Sequence, residues 1–342
     1  MATKDIVVVG ASAGGMGALE KLVAGLPADL PAAVFVVWHL APGVRTVLPA
    51  VLSKAGPLPA AAPSDGDPIK PGRIYIAPND HHMLLERGYI RVTKGPKENR
   101  FRPAVDPLFR SAAYVYGPRA IGVVLSGALD DGTAGLWAIK LRGGTAIVQD
   151  PSDAMHRSMP INALENVEVD YKVPVAEIGA LLGRLAREQV APEPLLPAQE
   201  RELMEAEVKI AREVDPRVEE VLSYGQLSPF TCPECHGVLT MLRDGNIIRF
   251  RCHTGHAVSS GTLLESTTEQ VERRLFDAVR ALDETIMLLN QLGEEYAKKG
   301  NTAAAEQCFN RAREAYEQSR PIREAAMNNE ELTTDALRQA SS

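Results

Sequence analysis

The stretch that decides the fold is Ile6-Val7-Val8-Val9-Gly10-Ala11-Ser12-Ala13-Gly14-Gly15-Met16-Gly17. Four β-branched apolar residues run directly into a turn made of small residues. Apolar residues then recur at the spacing of one helix face, at Ala18, Leu19, Leu22 and Val23. This pattern predicts a buried parallel strand, a tight turn and a helix, which together open a doubly wound α/β sheet.

Three interpretations of this turn are open. Its glycines are similar to a dinucleotide-binding fingerprint, but Ser12 stands where the second glycine would admit a pyrophosphate. Alternatively, Ser12 is a nucleophile on a strand-to-helix turn, where backbone amides stabilise an oxyanion. A purely structural turn also favours small residues. The turn alone is compatible with all three.

Length and composition restrict the class of protein. The chain has 342 residues, 45% of them hydrophobic and 24% charged, which is typical of a soluble protein of two or three domains. Lys and Arg number 37 against 44 Asp and Glu, a net charge of -7 that argues against a nucleic-acid or anionic-membrane binder. No apolar stretch has the length of a signal-peptide core or a bilayer span, so we expect a cytoplasmic protein.

Residues 1–190 alternate strand and helix patterns and predict a Rossmann-like, three-layer domain with a mostly parallel sheet. Within it, Arg87-Gly88 is expected to turn a hairpin, and Asp106 to cap the helix that follows it. The remaining segments are predicted to be a linker with a polar helix at 191–229, a Cys/His module at 230–260, an α-helical hairpin at 261–330 and a flexible tail at 331–342.

Polar residues follow several predicted strands of the first domain. Ser12 and His39 end neighbouring strands, and Asp131 lies in the loop after the strand at 120–126. Because parallel strands end at the same sheet edge, these side chains are expected within reach of one another. A serine nucleophile needs a base and an acid that orients the base, which this set supplies.

Each member of this set also has a structural interpretation. A histidine after a strand is often a hydrogen-bonded core residue, and Asp-Asp-Gly is a common turn and cap. His81 and His82 also lie beyond a strand, but they precede a predicted surface hairpin, so His39 is the favoured base. Coincidence of all three residues at one edge favours a triad. Ala13 and Gly14, at the helix start, are the candidate oxyanion donors.

These residues resemble the catalytic domain of the chemotaxis protein-glutamate methylesterase family, CheB. The resemblance covers residues 5 to about 190 and rests on Val9-Gly10-Ala11-Ser12-Ala13-Gly14-Gly15, Trp38-His39, Tyr75-Ile76-Ala77-Pro78, Arg102-Pro103-Ala104-Val105-Asp106-Pro107-Leu108-Phe109, Leu125-Ser126-Gly127, Asp130-Asp131-Gly132 and Ser158-Met159-Pro160.

The resemblance implies a cofactor-independent Ser–His–Asp esterase. It would remove methyl groups from glutamyl methyl esters on methyl-accepting chemotaxis receptors, with glutamine deamidation as a related activity. The family's triad falls on Ser12, His39 and Asp131. Ala128 takes a place where the family often has methionine, and is expected to border the substrate. Contact with a membrane would be only through the receptors, and the net charge leads us to expect no nucleic-acid partner.

The sequence departs from common family residues at Ala13, Ala128 and Asp130, where threonine, methionine and asparagine are frequent. We expect these changes to affect local geometry and rate but not the triad. Many relatives carry a receiver domain ahead of the esterase. Because this sequence begins at the esterase strand, we expect no regulation by phosphorylation in cis. The alternative is a catalytically weak relative that acts as a chemosensory scaffold; the intact triad favours the enzyme.

The Cys/His module combines Cys232-Pro233-Glu234-Cys235 with Cys252-His253-Thr254-Gly255-His256. Between them, a hairpin is expected at Asp244-Gly245. This arrangement is typical of a zinc ribbon, in which a metal stabilises a β unit too small to hold a core. The predicted ligands of a structural zinc are Cys232, Cys235, Cys252 and His256, with His253 as the substitute. A metal-free hairpin with buried thiols is the alternative.

The C-terminal region is predicted to recruit chemosensory signalling proteins and to take no part in the chemistry. The proline-rich linker would hold it at a limited distance from the esterase. A chain that ends near Ala191 is then expected to fold alone and to hydrolyse a small ester as fast as the full chain.

Overall fold

The fold is described from a computed structural model, which covers residues 2–39, 47–213, 218–329 and 332. Apart from Leu332, the predicted tail at 331–342 lies outside these residues. The chain divides into two compact units, one ending at Thr262 and the other beginning at Leu263. No helix in the described ranges combines the length and apolarity that a bilayer crossing requires.

The described strands alternate with helices over the first two hundred residues. The strands are β1 (Ile6–Ala11), β2 (Ala33–Trp38), β3 (Ala60–Ala61), β4 (Ile74–Ile76), β5 (His82–Glu86), β6 (Tyr89–Thr93), β7 (Ala120–Val124), β8 (Thr145–Gln149), β9 (Tyr171–Val173), β10 (Gln226–Thr231), β11 (Val238–Asp244), β12 (Ile247–Cys252) and β13 (Ala257–Ser259). The helices are α1 (Gly15–Ala24), α2 (Leu48–Ala55), α3 (Val105–Tyr116), α4 (Thr133–Leu141), α5 (Ser158–Asn166), α6 (Val175–Leu185), α7 (Ala198–Ala211), α8 (Val218–Ser223), α9 (Ser260–Lys298) and α10 (Thr302–Met327), with a 3₁₀ turn at Gly117–Arg119.

The central sheet has the order β3-β4-β2-β1-β7-β8-β9 in the described part of the chain, and every neighbouring pair is parallel. The predicted doubly wound α/β fold is confirmed. β1 is the middle strand of this order, and all six of its residues are buried, as expected for a strand covered on both faces.

Alternate residues of β1 enter two different hydrophobic cores. Ile6 and Val8 pack on the side of α3 and α4, whereas Val7 and Val9 pack on the side of α1 and α6. This is the period of two that a strand imposes on its side chains. Helices on both faces produce the three layers, and each fully buried aliphatic side chain contributes roughly 1.5–3 kcal/mol of stability.

The hairpin expected at Arg87-Gly88 is present as β5 and β6, which pair from His82↔Thr93 to Glu86↔Tyr89. Gly88 has φ +84°, a left-handed conformation that a residue with a side chain adopts only with strain. The prediction that Asp106 caps the helix that follows it is wrong. Asp106 does not cap its own helix α3; its Oδ1 accepts from the amide of Gly135, in the first turn of α4 (2.7 Å).

The Cys/His region is an antiparallel sheet in the order β10-β11-β12-β13. β11 and β12 form the expected hairpin, closing at Asp244↔Ile247 with Gly245 at φ +58°. This sheet belongs to the first compact unit. It contacts the catalytic region directly: the amide of Asn99 donates to Ala257 O (2.9 Å), and the amide of Ala257 donates to Lys97 O (3.2 Å).

A buried cluster of charges joins the Cys/His sheet to α3 and α7. The cluster comprises Glu98, Arg110, Glu207, Asp244, Arg249 and Arg251. Arg110 of α3 binds both Glu98 and Glu207, and Arg251 of β12 bridges the same two carboxylates at 2.9 Å each. Arg249 binds Glu207 and Asp244. Three cations and three anions therefore balance one another, as buried charges must.

The second unit contains the part of α9 from Leu263 onward and α10. The break at residues 299–301 agrees with the expected helical hairpin, and Asn301 caps α10 by accepting from the amide of Ala304 (3.2 Å). Arg323 pairs with Asp283, and a Cβ added at Gly293 would meet the ring of Phe309. These contacts fit two antiparallel helices.

Candidate active site

The carboxyl edge of the central sheet gathers three loops. Ala11 pairs with Trp38, so Ser12 and His39 follow neighbouring strands at the same level. The amide of His39 donates to Ala11 O (3.2 Å), and the amide of Ser12 donates to Ser126 O, beyond β7 (3.0 Å). The indole of Trp38 adds a bond to Ser12 O (2.9 Å). Backbone pairing thus fixes the positions of Ser12 and His39 before any side chain is considered.

The side chains of Ser12, His39 and Asp131 form a chain of hydrogen bonds. His39 Nδ1 lies 3.0 Å from Ser12 Oγ, and His39 Nε2 lies 2.7 Å from Asp131 Oδ2. All three residues are buried. Since an ionised carboxylate only accepts, Nε2 carries the proton in this pair and Nδ1 is free to accept from Ser12.

Asp131 accepts four hydrogen bonds. Besides His39, its donors are the amide of Val105 (2.7 Å), the amide of Asp106 (3.2 Å) and Asn99 Nδ2 (2.9 Å). Burial alone would raise the pKa of Asp131. The hydrogen bond and charge of His39, with the bonds from Val105 and Asn99, hold that pKa below its usual range. The orienting carboxylate is therefore kept ionised.

A second buried carboxyl group, Asp106, lies beside Asp131. Burial and the negative charge of Asp131 raise the pKa of Asp106 well above its usual range. Asn99 Nδ2 reaches Asp106 Oδ2 as well (3.0 Å). Environment therefore places the negative charge on Asp131, the carboxylate that contacts His39.

The amides expected to stabilise an oxyanion lie directly after Ser12. Gly14 has φ +69° and precedes α1, and a Cβ there would lie 2.7 Å from Met155 Cβ. Neither the Ala13 nor the Gly14 amide donates to an acceptor among the described residues. Both remain available to a ligand at the positive end of α1.

The loop from Ser126 to Asp131 forms the opposite wall. Gly127 packs closely on Ser12, because a Cβ at that position would lie 2.9 Å from Ser12 Cβ. Ala128 follows Gly127 and is exposed, so it lies at the rim of this wall. Asp130 is held from another side, by Ser259 Oγ at 2.6 Å and Thr262 Oγ1 at 3.2 Å.

The other histidines of the region have different surroundings. His82 is fully buried, with Nε2 2.9 Å from Pro96 O and Nδ1 accepting from the amide of Ala104 (3.3 Å); burial lowers its pKa. His81 Nδ1 lies 3.0 Å from Asn79 O, and the side chain of His156 is exposed. His39 is the histidine that faces Ser12.

Sequence reasoning missed two residues that support the site. The ring of Phe101 stacks on His39 with centroids 3.8 Å apart and planes 7° from parallel. Asn99 contacts Asp131 and also has a left-handed backbone, φ +50°. The one sequence signal was the residue type, since asparagine tolerates this conformation better than most residues.

The Cys/His region brings Cys232, Cys235, Cys252 and His256 together. One ligand atom from each lies within 4.8 Å of all the others. Cys235 Sγ and His256 Nδ1 each lie 3.6 Å from Cys252 Sγ. Ligands 2.3 Å from a tetrahedral zinc lie about 3.8 Å apart, so the donor set could hold such an ion. His253 is not a member of this group of ligand atoms; its ring lies beside Gly237, where an added Cβ would be 2.5 Å from it.

Comparison with known proteins adds a family to this geometry. The family model for CheB methylesterase matches residues 7–182. A protein of Anaeromyxobacter dehalogenans is 41% identical over 183 residues, covering 54% of each chain, and is named protein-glutamate methylesterase/protein-glutamine glutaminase 2. A Thermotoga maritima protein named protein-glutamate methylesterase/protein-glutamine glutaminase is 36% identical over 177 residues, or 51% of this chain and 52% of that protein.

The chain spans about half the length of the curated relatives it matches. The crystal structure of the Thermotoga maritima CheB methylesterase catalytic domain is similar to 53% of this chain and 98% of that one, with 36% identity and a TM-score of 0.52. The matched region contains Ser12, His39 and Asp131. On the family match and the parallel sheet together, this chain belongs to the CheB methylesterase family.

Proposed function

We propose that the protein is a serine esterase that hydrolyses glutamyl methyl esters to glutamate and methanol. The observation that carries the proposal is the hydrogen-bonded series Ser12 Oγ–His39 Nδ1 and His39 Nε2–Asp131 Oδ2, at 3.0 and 2.7 Å. Relatives that carry both methylesterase and glutaminase in their names support ester and amide bonds of glutamyl side chains as the substrate class.

In the proposed reaction, Ser12 Oγ attacks the ester carbonyl carbon while its proton passes to His39 Nδ1. Asp131 orients His39 and stabilises the imidazolium. The amides of Ala13 and Gly14 bind the oxyanion, each worth about 3 kcal/mol. His39 returns the proton to the leaving methoxide, methanol departs, and a water molecule activated by His39 hydrolyses the acyl-serine. No cofactor enters these steps.

The proposed substrates are methyl-accepting chemotaxis receptors. The enzyme itself is proposed to be cytoplasmic and to approach a membrane only through these receptors. The negative net charge of the chain, -7, gives no support to nucleic acid as a partner. The well-ordered set of donors on Asp131 argues for an active enzyme over a catalytically weak scaffold, because a silent site has no need to keep this carboxylate ionised.

We further propose that Cys232, Cys235, Cys252 and His256 hold one structural zinc. Three thiolate sulfurs and one imidazole nitrogen are the donor set that zinc prefers in closed sites. Four protein ligands leave no open coordination position, so this ion would supply folding energy and not catalysis.

Methanol release from methylated receptor membranes tests the function. Wild-type protein should release methanol, and Ser12→Ala should not. Ser64→Ala is the matched control, because Ser64 is exposed in a loop outside the site. Near-wild-type methanol release by a folded Ser12→Ala protein would contradict the proposal.

A further inference from the structure

The side chain of Asn99 connects the catalytic region to the Cys/His sheet. Its Nδ2 donates to Asp131 Oδ1 (2.9 Å) and to Asp106 Oδ2 (3.0 Å), and its Oδ1 accepts from the amide of Ser259 (2.9 Å). Both amide hydrogens and the carbonyl oxygen are therefore in use. Asn99 is 4% exposed, so an alternative bond to water is not at hand.

Ser259 holds the same loop at a second point. Its hydroxyl donates to Asp130 Oδ1 (2.6 Å) and accepts from the amide of Thr262 (3.1 Å). Through the second bond, Ser259 caps the start of α9. Thr262 Oγ1 also reaches Asp130 Oδ1 (3.2 Å). The residue next to the orienting carboxylate is thus tied to the end of β13.

The two attachment points on β13 are close to the metal-ligand cluster in sequence and space. His256 directly precedes Ala257, whose carbonyl accepts from the amide of Asn99 (2.9 Å). The amide of Cys252 donates to His256 O (3.0 Å), and β12 pairs with β13 through Arg251↔Ala257. Two of the four candidate ligands, Cys252 and His256, therefore flank the turn that leads into β13.

We propose that the Cys/His sheet positions the orienting carboxylate Asp131, with Ser259 and Asn99 as positioning residues, and that metal binding at the cluster therefore controls the catalytic rate. The activity part of this inference rests on the proposed esterase function. A carboxylate displaced by 1 Å from its histidine can lower a rate by about 100-fold. Loss of the Ser259 contacts to Asn99 and Asp130 is therefore expected to lower kcat measurably.

Leu129 explains why the loop needs anchors. It adopts φ +61°, which a leucine does only at a cost of about 1–3 kcal/mol and only when neighbouring contacts impose it. Its carbonyl accepts from Asn162 Nδ2 (2.8 Å) on one side, and Asp130 is bound by Ser259 on the other. Loss of the Ser259 contact would release one side of a strained turn.

The first experiment uses the full-length protein and a small glutamyl methyl ester. Ser259→Ala should lower kcat about tenfold and leave KM within about twofold, because substrate contacts are not touched. Ser259→Thr, which keeps the hydroxyl, should restore most of the rate. Ser228→Ala is the matched control: it removes a different hydroxyl of the Cys/His sheet, which donates to Leu239 O at 2.7 Å, and should leave kcat unchanged.

The second readout does not depend on turnover. The proton between His39 Nε2 and Asp131 should give a far-downfield ¹H NMR resonance, since that bond is short and charge-assisted (2.7 Å). In Ser259→Ala this resonance should broaden or exchange faster with water, and in Ser259→Thr and Ser228→Ala it should stay. If wild type hydrolyses no ester but the resonance behaves as described, the esterase function fails and the positioning role stands.

Metal removal is the third measurement. After zinc chelation, kcat should fall at least tenfold, and the His39–Asp131 resonance should broaden or exchange faster with water. Added Zn²⁺ should restore both kcat and the resonance. Unchanged kcat and resonance in either Ser259→Ala or the chelated protein would overturn the inference. So would equal losses of kcat in Ser259→Ala and Ser228→Ala, since these would indicate a general loss of stability.

Discussion

At the scale of single residues, the orientation of His39 assigns the proton positions. Nδ1 faces Ser12 and Nε2 faces Asp131, so the ring nitrogen nearer to the histidine backbone is the one that accepts the serine proton. The stacked ring of Phe101 and the bond to Asp131 restrict rotation of the imidazole. The base is thus held in one tautomer and one plane before a substrate arrives.

Replacement of Ser12 or His39 by alanine should abolish ester hydrolysis. We expect kcat/KM to fall on the order of 10⁴-fold for each single variant and hardly further for the double variant, because the two act as a unit. Initial rates with a glutamyl methyl ester check this. Additive losses in the double variant would mean that the two side chains act independently.

Two neighbouring acids should respond differently to the same change. Asp131→Asn would face an amide NH₂ towards groups that all donate, so kcat should fall by about 10³–10⁴-fold. Asp130→Asn keeps an oxygen for the Ser259 and Thr262 hydroxyls, so its loss should stay below about tenfold. Steady-state kinetics of both variants decide this, and a larger loss at Asp130 would reverse the assignment.

At the scale of elements, the buried charge cluster determines how the Cys/His sheet meets α3. Burial alone would raise the pKa of Glu98, but Arg110 and Arg251 lower it to about 2. Glu207 likewise has a pKa well below its usual range, despite its burial, because Arg110, Arg249 and Arg251 surround it. These carboxylates stabilise the fold only while they are ionised.

The stability of this interface should therefore decrease in acid. An ionised Glu98 contributes fully above its ordinary pKa of 4.5, and the contribution is lost as pH falls towards about 2. The difference between these values corresponds to on the order of 3 kcal/mol. Urea unfolding at several pH values between 7 and 3 measures the slope.

Glu98→Gln is the comparison for that measurement. It should be less stable at pH 7, because two buried guanidinium groups lose a charge partner, by about 3–5 kcal/mol. Its free energy of unfolding should also vary less with pH below 4.5 than that of the wild type. Identical slopes would show that Glu98 does not titrate on unfolding.

The Cys/His cluster should hold zinc in the purified protein. Protein purified without added metal should contain one zinc per chain, and His256→Ala should lower the affinity strongly while His253→Ala should not. Elemental analysis of the three proteins measures this. Retained zinc in His256→Ala with loss in His253→Ala would identify the substitute ligand, and metal-free folded wild type would refute the site.

The sequence predicted the elements better than their contacts. The apolar run at 6–9 was enough to predict a buried parallel strand, and the parallel sheet is confirmed. Asn99 was not predicted as a site residue, because its partners are 7, 32 and 160 residues away and no local period links them. The sequence wrongly predicts Asp106 as the cap of α3 for a related reason, because a contact between two helices leaves no spacing pattern in the sequence.

At the scale of the whole molecule, residues beyond the catalytic region contribute to its interior. Met204 of α7 packs in the same core as Leu108 and Phe109, and Glu207 reaches Arg110. These contacts change the expectation for a chain that ends near Ala191. The sequence predicts full activity on a small ester for such a chain. The truncation, however, removes Ser259 and Thr262, which contact Asn99 and Asp130.

We expect a chain ending at residue 191 to fold around the central sheet but to lose at least tenfold in kcat on the small ester. A chain ending at Thr262 keeps α7, the Cys/His sheet and both anchors, and should match the full-length protein. Far-UV circular dichroism and steady-state kinetics of the two truncations make the comparison. Equal kcat for both would restore the view that the module serves recruitment alone.

The balanced charge cluster also limits which domains evolution or design can combine. Arg110 comes from the catalytic region, whereas Glu207, Arg249 and Arg251 come from α7 and the Cys/His sheet. A chimera that joined residues 198–262 to a catalytic domain with an apolar residue at position 110 would bury one carboxylate in excess. Such a mismatch costs about 3–5 kcal/mol, so catalytic domain and module can be exchanged only as a matched pair.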